Sequence, residues 1–218
     1  MVRLLFLLIT LPFGLRAGAQ LLHPPVPYHG HSYPVVRIGT QWWFAENLRT
    51  ELYRNGDTIP TLPQAQEWRF ARSGAQAVYR SDPGMLEAYG RLYNWYAVTD
   101  PRGLCPAGWH VPSAADWDVL TTALGGDSVT GGALKDTAYW DPPNTGATDA
   151  SGFNGRPGGA RSNYGESLFE GAYGYFWSSS PEGPEKVVFR FLGTYNADLY
   201  RGSSEPQDGF SCRCVMDP

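Results

Sequence analysis

Charge is scarce in this sequence. Asp, Glu, Lys and Arg make up 17% of 218 residues, and the balance is acidic, a formal −4. Such a chain lacks the basic footprint with which proteins hold nucleic acid or anionic membrane. Long hydrophobic runs are missing too. The most apolar stretch is Leu4 to Phe13, and it is too short to span a bilayer. Familiar catalytic patterns are absent as well. No Gly-x-Ser-x-Gly elbow occurs, "GGALKDT" has its glycines and lysine at the wrong offsets for a phosphate loop, and no carboxylate spacing singles out an acid–base pair. Of four histidines, three (His23, His29, His31) lie in one N-terminal stretch. His110 remains, with no partner close in sequence to orient it, so a structural role is its default.

What is present points to export. Residues 1–19, "MVRLLFLLITLPFGLRAGA", carry Arg3, an apolar core and a small-residue triplet, the pattern of a cleaved signal peptide. Its removal takes the net charge to −6, because it holds two arginines and no acid. No cysteine follows the apolar core to carry a lipid. The expected destination is the exterior or the cell surface, an oxidising place where disulfides persist. Residues 20–33, rich in proline, read as an extended, weakly packed linker whose histidines form an exposed polar tail. From residue 34 to 217 the texture is that of one domain.

With 26 glycines, 18 prolines and 14% aromatic residues, that domain should have short elements and many turns. "PVVRIGTQWWFAENL" reads as a hairpin turning at Gly39-Thr40. Residues 62–74 read as a helix, and "GRLYNWYAV" (90–98) as either strand or short helix. Ser113, with Asp116 three residues on, predicts a capped helix whose Trp117, Leu120 and Leu124 face the core and which ends at Gly125-Gly126. Residues 125–172 have no sustained period and read as an ordered loop region carrying short strands. "YGYFWSSS", "KVVFRFLG", "ADLYRGSS" and "GFSCRCV" read as strands. The sum is an α+β domain.

Cys212 and Cys214 sit two apart on the last predicted strand, facing one way, and so do not readily bridge each other. Cys105 is the remaining partner for one of them.

Six segments in order, "IGTQWWFAENLR", "YGRLYNWYAV", "LCPAGWHVPSAADWDVL", "GFNGRPGGAR", "YGYFWSSS" and "GFSCRCV", make residues 34–217 resemble the Fibrobacter succinogenes major paralogous domain, found in exported bacterial proteins. The resemblance implies a C-type-lectin-like (formylglycine-generating-enzyme-like) architecture: short antiparallel sheets, one or two helices and long ordered loops. It also implies a Cys105–Cys214 bridge with Cys212 as a spare thiol, although Cys105–Cys212 stays open because Cys212 stands where the family has an aliphatic residue. The related oxidases hold copper with paired cysteines after an Arg-Gly-Gly-like segment. Here "RPGGARSNYGESLFEG" has no cysteine, so that soft-ligand site is not expected.

Binding is the expected role, at the cell surface, to a glycan or a protein. The alternatives are an enzyme of the formylglycine-generating type and a structural surface protein that self-associates. Trp95, Trp109, Trp117 and Trp177 stand in apolar patterns and read as core. Trp140, Tyr164, Tyr173, Tyr195 and Tyr200 stand in polar, glycine-rich surroundings and read as contact residues. The loop region 136–173 and the hairpin 193–206 would carry the binding face. No cofactor is required, but Asp141, Asn144, Asp149 and Asn154 offer hard oxygens suited to calcium. "EPQD" (205–208) reads as a turn.

Overall fold

The structure, a computed structural model, describes residues 23–218. The expected signal peptide lies outside the described residues. The fold is α+β, with 14 strands and five helices among those residues.

The chain begins with a hairpin. β1 (Val26–Tyr28) and β2 (His31–Tyr33) pair around His29 and Gly30, at φ 47° and 80°. Two left-handed residues in succession suit a tight primed turn. This corrects the linker reading for residues 26–33; residues 20–22 lie outside the described residues. Tyr28 and Tyr33 are buried; Tyr28 donates to the Leu104 carbonyl (3.1 Å), and Tyr33 accepts from the Arg49 amide (2.9 Å). The histidines do not form a shared tail. His29 bonds Thr50 (2.7 Å), His31 meets Glu46 (3.1 Å), and the His23 ring lies 5.3 Å from that of Trp42.

β3 (Val35–Ile38) and β4 (Gln41–Phe44) form the expected second hairpin, with Gly39 at φ 60°. They join β7 (Trp109–His110) and β14 (Val215–Met216) in a four-stranded sheet ordered β3-β4-β14-β7. A six-stranded sheet, β12-β11-β10-β13-β6-β5, holds the rest of the frame. Its members are β5 (Gln76–Ala77), β6 (Leu92–Tyr93), β10 (Tyr173–Pro181), β11 (Val187–Gly193), β12 (Tyr200–Ser204) and β13 (Phe210–Ser211). Only β10 and β13 run parallel. "GFSCRCV" is therefore not one strand: it breaks after Ser211 and resumes at Val215 in the other sheet.

α1 (Ala65–Phe70) is shorter than 62–74, and α2 (Pro83–Tyr89) starts at a Pro after the Asp82 cap. "GRLYNWYAV" is both things at once. β6 ends, Asn94 caps, and α3 (Trp95–Val98) begins with the Asn94 side chain accepting from the Ala97 amide (3.0 Å). α4 (Ala114–Ala123) has both halves of the Ser113–Asp116 capping box. α5 (Asp127–Leu134) was not legible, so the domain has more than one or two helices. Its Gly131 and Gly132 look like loop residues in sequence. A Cβ there would lie 2.1 Å from the Asp198 carbonyl oxygen and 2.5 Å from that of Gly146, so the helix needs bare backbone where these loops press against it. β8 (Ala160–Arg161) and β9 (Ser167–Leu168) are the short strands of the loop region.

The core is aromatic. Trp43, Trp117, Phe153 and Phe176 pack together between α4 and the large sheet, with ring centroids 4.9–6.0 Å apart. Tyr93, Trp177 and Phe210 belong to a second cluster around the cysteines. Cys105 and Cys214 form a disulfide across 109 residues, with Cα atoms 5.9 Å apart, and Cys212 is free and buried. Closing a loop of that length contributes about 5 kcal/mol in the chain-entropy model. Trp109, Trp117 and Trp177 are buried as expected, and Trp95 is half-buried.

Loops this long leave carbonyls without strand partners, and burying them unpaired is costly. Three enclosed cations supply the donors. Lys135 Nζ donates to the carbonyls of Thr145 (2.8 Å), Gly193 (3.1 Å) and Asn196 (2.8 Å). Arg161 donates to Leu62 (2.6 Å), Pro63 (2.9 Å) and Gly165 (3.2 Å). Arg213 donates to the carbonyls of Phe44, Phe153 and Asn154 and to Asn47 Oδ1. None of the three pairs with a carboxylate among the described residues. Charge-assisted bonds to neutral oxygens hold the loops in place of strands.

Candidate functional site

Two clefts among the described residues have polar linings. The first, about 560 Å³, is lined by Glu46, Arg49, Glu87, Tyr139, Arg156 and Arg213, among others. Its guanidinium groups are committed within the protein. Arg49 pairs with Glu46 (2.7 Å), Arg156 with Asp136 (2.9 Å), and Arg213 is taken up by the carbonyls described above. Burial pulls the Arg213 guanidinium down to about 9. A ligand that sought these guanidiniums would compete with their internal partners.

The second cleft, about 510 Å³, is built differently. One wall is the end of α1. Trp68 is that helix's buried residue, which leaves Arg69 and Phe70 facing out. Other walls come from Tyr96 in α3, from Asn163 and Tyr164 before β9, from Pro184 and Glu185 in the β10–β11 turn, and from Glu205 to Gln207. The last is the "EPQD" turn, closed by the Asp208 amide on the Glu205 carbonyl (3.0 Å). Phe70 is 62% exposed and Tyr164 55%. The Arg69 guanidinium lies 5.6 Å and 4.6 Å from these two ring centres. Among the described residues, the side chains of Asn163, Glu185 and Arg69 and the Tyr164 hydroxyl make no hydrogen bond, and Gln207 gives only one, to Tyr96 (3.2 Å). Open rings beside unspent amides and charges are what a polar ligand with an apolar face requires.

Beneath this cleft, Asp208 accepts from the Asn163 amide (2.7 Å). Burial raises its carboxyl to about 6 despite that bond.

The contact residues expected from sequence separate into three groups. Tyr164 lines the second cleft. Tyr173 and Tyr200 are half-buried and meet through Phe191. Tyr200 and Phe191 stack at 4.8 Å, and Phe191 continues to Tyr175 (5.7 Å), forming an aromatic ridge across β10, β11 and β12. Tyr195, 68% exposed, stands in the β11–β12 turn outside both clefts. Trp140 is corrected outright. It is 8% exposed, its indole donates to the Gly155 carbonyl (3.0 Å), and Lys135 approaches its ring.

The hard-oxygen residues are held by different parts of the backbone. Asp149 accepts from the Asn154 amide (2.8 Å), the Asn144 amide donates to Thr194 (3.1 Å), and the Asp141 amide donates to the Gly171 carbonyl (2.8 Å). No group of three or more His, Cys, Asp or Glu among the described residues is placed to hold a metal ion. His110 is oriented after all, between Asp217 (2.7 Å) and Asp116 (3.2 Å). Asp116 also receives the Ser113 hydroxyl, so this histidine ties the α4 cap to Asp217.

Sequence reasoning missed Phe70, Arg69, Arg72, Tyr96, Asn163 and Gln207. One signal was readable: in "EWRFAR" a phenylalanine between two arginines falls off the face that buries Trp68.

No curated protein and no solved structure matches the chain. A family model does match, that of the Fibrobacter succinogenes major domain, over residues 36–216. The chain belongs to the Fibrobacter succinogenes major domain family.

Proposed function

We propose that this protein is an exported, non-catalytic recognition module of C-type-lectin-like architecture that binds a glycan at the cell surface, through the cleft of Phe70, Tyr96 and Tyr164. The observation that carries the reading is the unspent capacity of that cleft. Phe70 and Tyr164 are open, and the side chains of Asn163, Glu185 and Arg69 lack internal partners among the described residues. A pyranose presents an apolar C–H face to a ring and hydroxyls to amides and carboxylates, which matches this lining. Export is supported by the N-terminal sequence pattern and by the disulfide. No helix among the described residues is long and apolar enough to cross a membrane.

Calcium is not required in this reading. The Lys135 ammonium already gathers three carbonyls of the loop region, a task a bound cation could otherwise perform. An oxidase of the copper type would need paired thiolates, and here Cys105 and Cys214 are bonded to each other.

The test is a glycan array probed with the mature chain, with and without a calcium chelator, beside Tyr164→Ala. Binding that survives chelation and falls in the variant supports the reading. An empty array overturns it. The aromatic ridge supports a second reading, self-association, because half-open rings on a sheet ending in the edge strand β12 suit a protein contact. Concentration-dependent sedimentation with no glycan binding would favour that one.

A further inference from the structure

We infer that the glycan held in the second cleft is acidic, a hexuronate-bearing chain whose carboxylate is read by Arg69 and Arg72; this rests on the glycan reading above. Both arginines line the cleft, and neither pairs with a carboxylate among the described residues. Arg69 makes no side-chain hydrogen bond there. Arg72 gives only Nη1, to the carbonyls of Ala71 (2.9 Å) and Arg69 (3.4 Å), which leaves Nε and Nη2 free. In the first cleft the corresponding guanidiniums are paired with Glu46 and Asp136.

The opposing charges do not cancel this. Lys186 neutralises Glu205 at 2.7 Å, and Glu185, exposed in the β10–β11 turn, is the unpaired acid of the lining. Two free guanidiniums face the one free carboxylate of the lining, and Asp208, beneath it, is held by the Asn163 amide. Guanidinium is a planar, always-charged fork that fits a carboxylate, and its bonds to one are stronger than those between neutral groups. Arg69 also lies against the Tyr164 ring, so the charge reader and the stacking surface share one position. A uronate residue offers both halves on a single sugar: a C–H face for Tyr164 or Phe70 and a carboxylate for the arginines. Glu185 and Asn163 are left to take hydroxyls.

The experiment is titration calorimetry of the mature chain with oligogalacturonate, oligomannuronate and glucuronate-containing oligosaccharides. Each is compared with its methyl ester, which keeps the ring and removes the charge, and with neutral cello- and xylo-oligosaccharides. The expected result is that at least one acid form binds about tenfold or more tighter than its ester, the size of one charge-assisted bond. Arg69→Gln with Arg72→Gln should abolish the preference, so that acid and ester bind alike in that variant. The preference should shrink as salt is raised. Equal binding of acid and ester, or neutral chains binding while no acid does, overturns this inference and leaves glycan recognition standing. No binding of any sugar overturns both. Both arginines are exposed, so the variants should fold, and an unchanged melting temperature checks that they do.

Discussion

The Arg69 guanidinium rests 4.6 Å from the centre of the Tyr164 ring, and the two residues come from segments almost a hundred positions apart. The contact joins the end of α1 to the loop before β9. It holds an exposed ring in place without burying it. A ring positioned in advance loses less freedom when a ligand stacks on it.

Tyr164 and Trp140 should therefore behave oppositely. Tyr164→Ala is expected to leave stability within about 0.5 kcal/mol of the parent, as surface changes do. It should weaken glycan binding by roughly three- to tenfold. Trp140→Ala is expected to cost about 3–5 kcal/mol of stability, because it empties a buried site and leaves the Gly155 carbonyl without its donor. Chemical denaturation and calorimetric titration of the two variants separate the roles.

The cysteines should also divide. Replacing Cys105 and Cys214 together by serine removes the tie between the chain's middle and its last strand, and should cost about 2–5 kcal/mol. Cys212→Ala removes one buried sulfur and should cost about 1 kcal/mol or less. Thermal melts under non-reducing conditions check both, and peptide mapping of the denatured, unreduced protein, with the one free thiol found at Cys212, checks the pairing.

Gly131→Ala should destabilise the protein, although alanine is the better helix former by about 1 kcal/mol. The added methyl would fall 2.1 Å from the Asp198 carbonyl oxygen, which is backbone and has little room to move. A rise in melting temperature on this substitution would mean that α5 does not press on that loop.

Asp208 sets an expected pH dependence. Its carboxyl titrates at about 6 in the fold and at an ordinary 3.8 otherwise. The folded state thus holds the proton more tightly. The stabilisation is full below 3.8 and is lost as pH rises to 6. Asp208→Asn should remove that loss, gaining on the order of 1–2 kcal/mol over the parent at pH 7 and nothing at pH 3.5. Urea unfolding of both proteins across this range measures the difference.

How far the sequence could be read varied with how local the determining contact was. The β3–β4 turn and the α4 capping box lie within a few residues of their own elements, and both were legible. The first hairpin was hidden because prolines suggested a linker, while the tyrosines that seat it bond residues far away, Leu104 and Arg49. α5 was hidden because its glycines answer to backbone from 146 and 198. Trp140 lay in a polar stretch whose enclosing partner, the Gly155 carbonyl, is brought over by folding. The cleft was the least legible part. Its lining comes from five segments, and what marks it is the lack of internal partners, which only a folded structure defines.

The enclosure of Lys135 has a practical result. The chain has two lysines, and the other is Lys186, which is exposed and joined to Glu205 at the cleft's rim. Reagents that couple to amines will find Lys135 shut away and will react at Lys186 or at the amino terminus. Fixing the protein to a sensor chip by amine chemistry would thus fasten it beside the proposed ligand cleft and blunt the response. A tag at the carboxyl terminus, where the last residues are exposed, avoids that attachment.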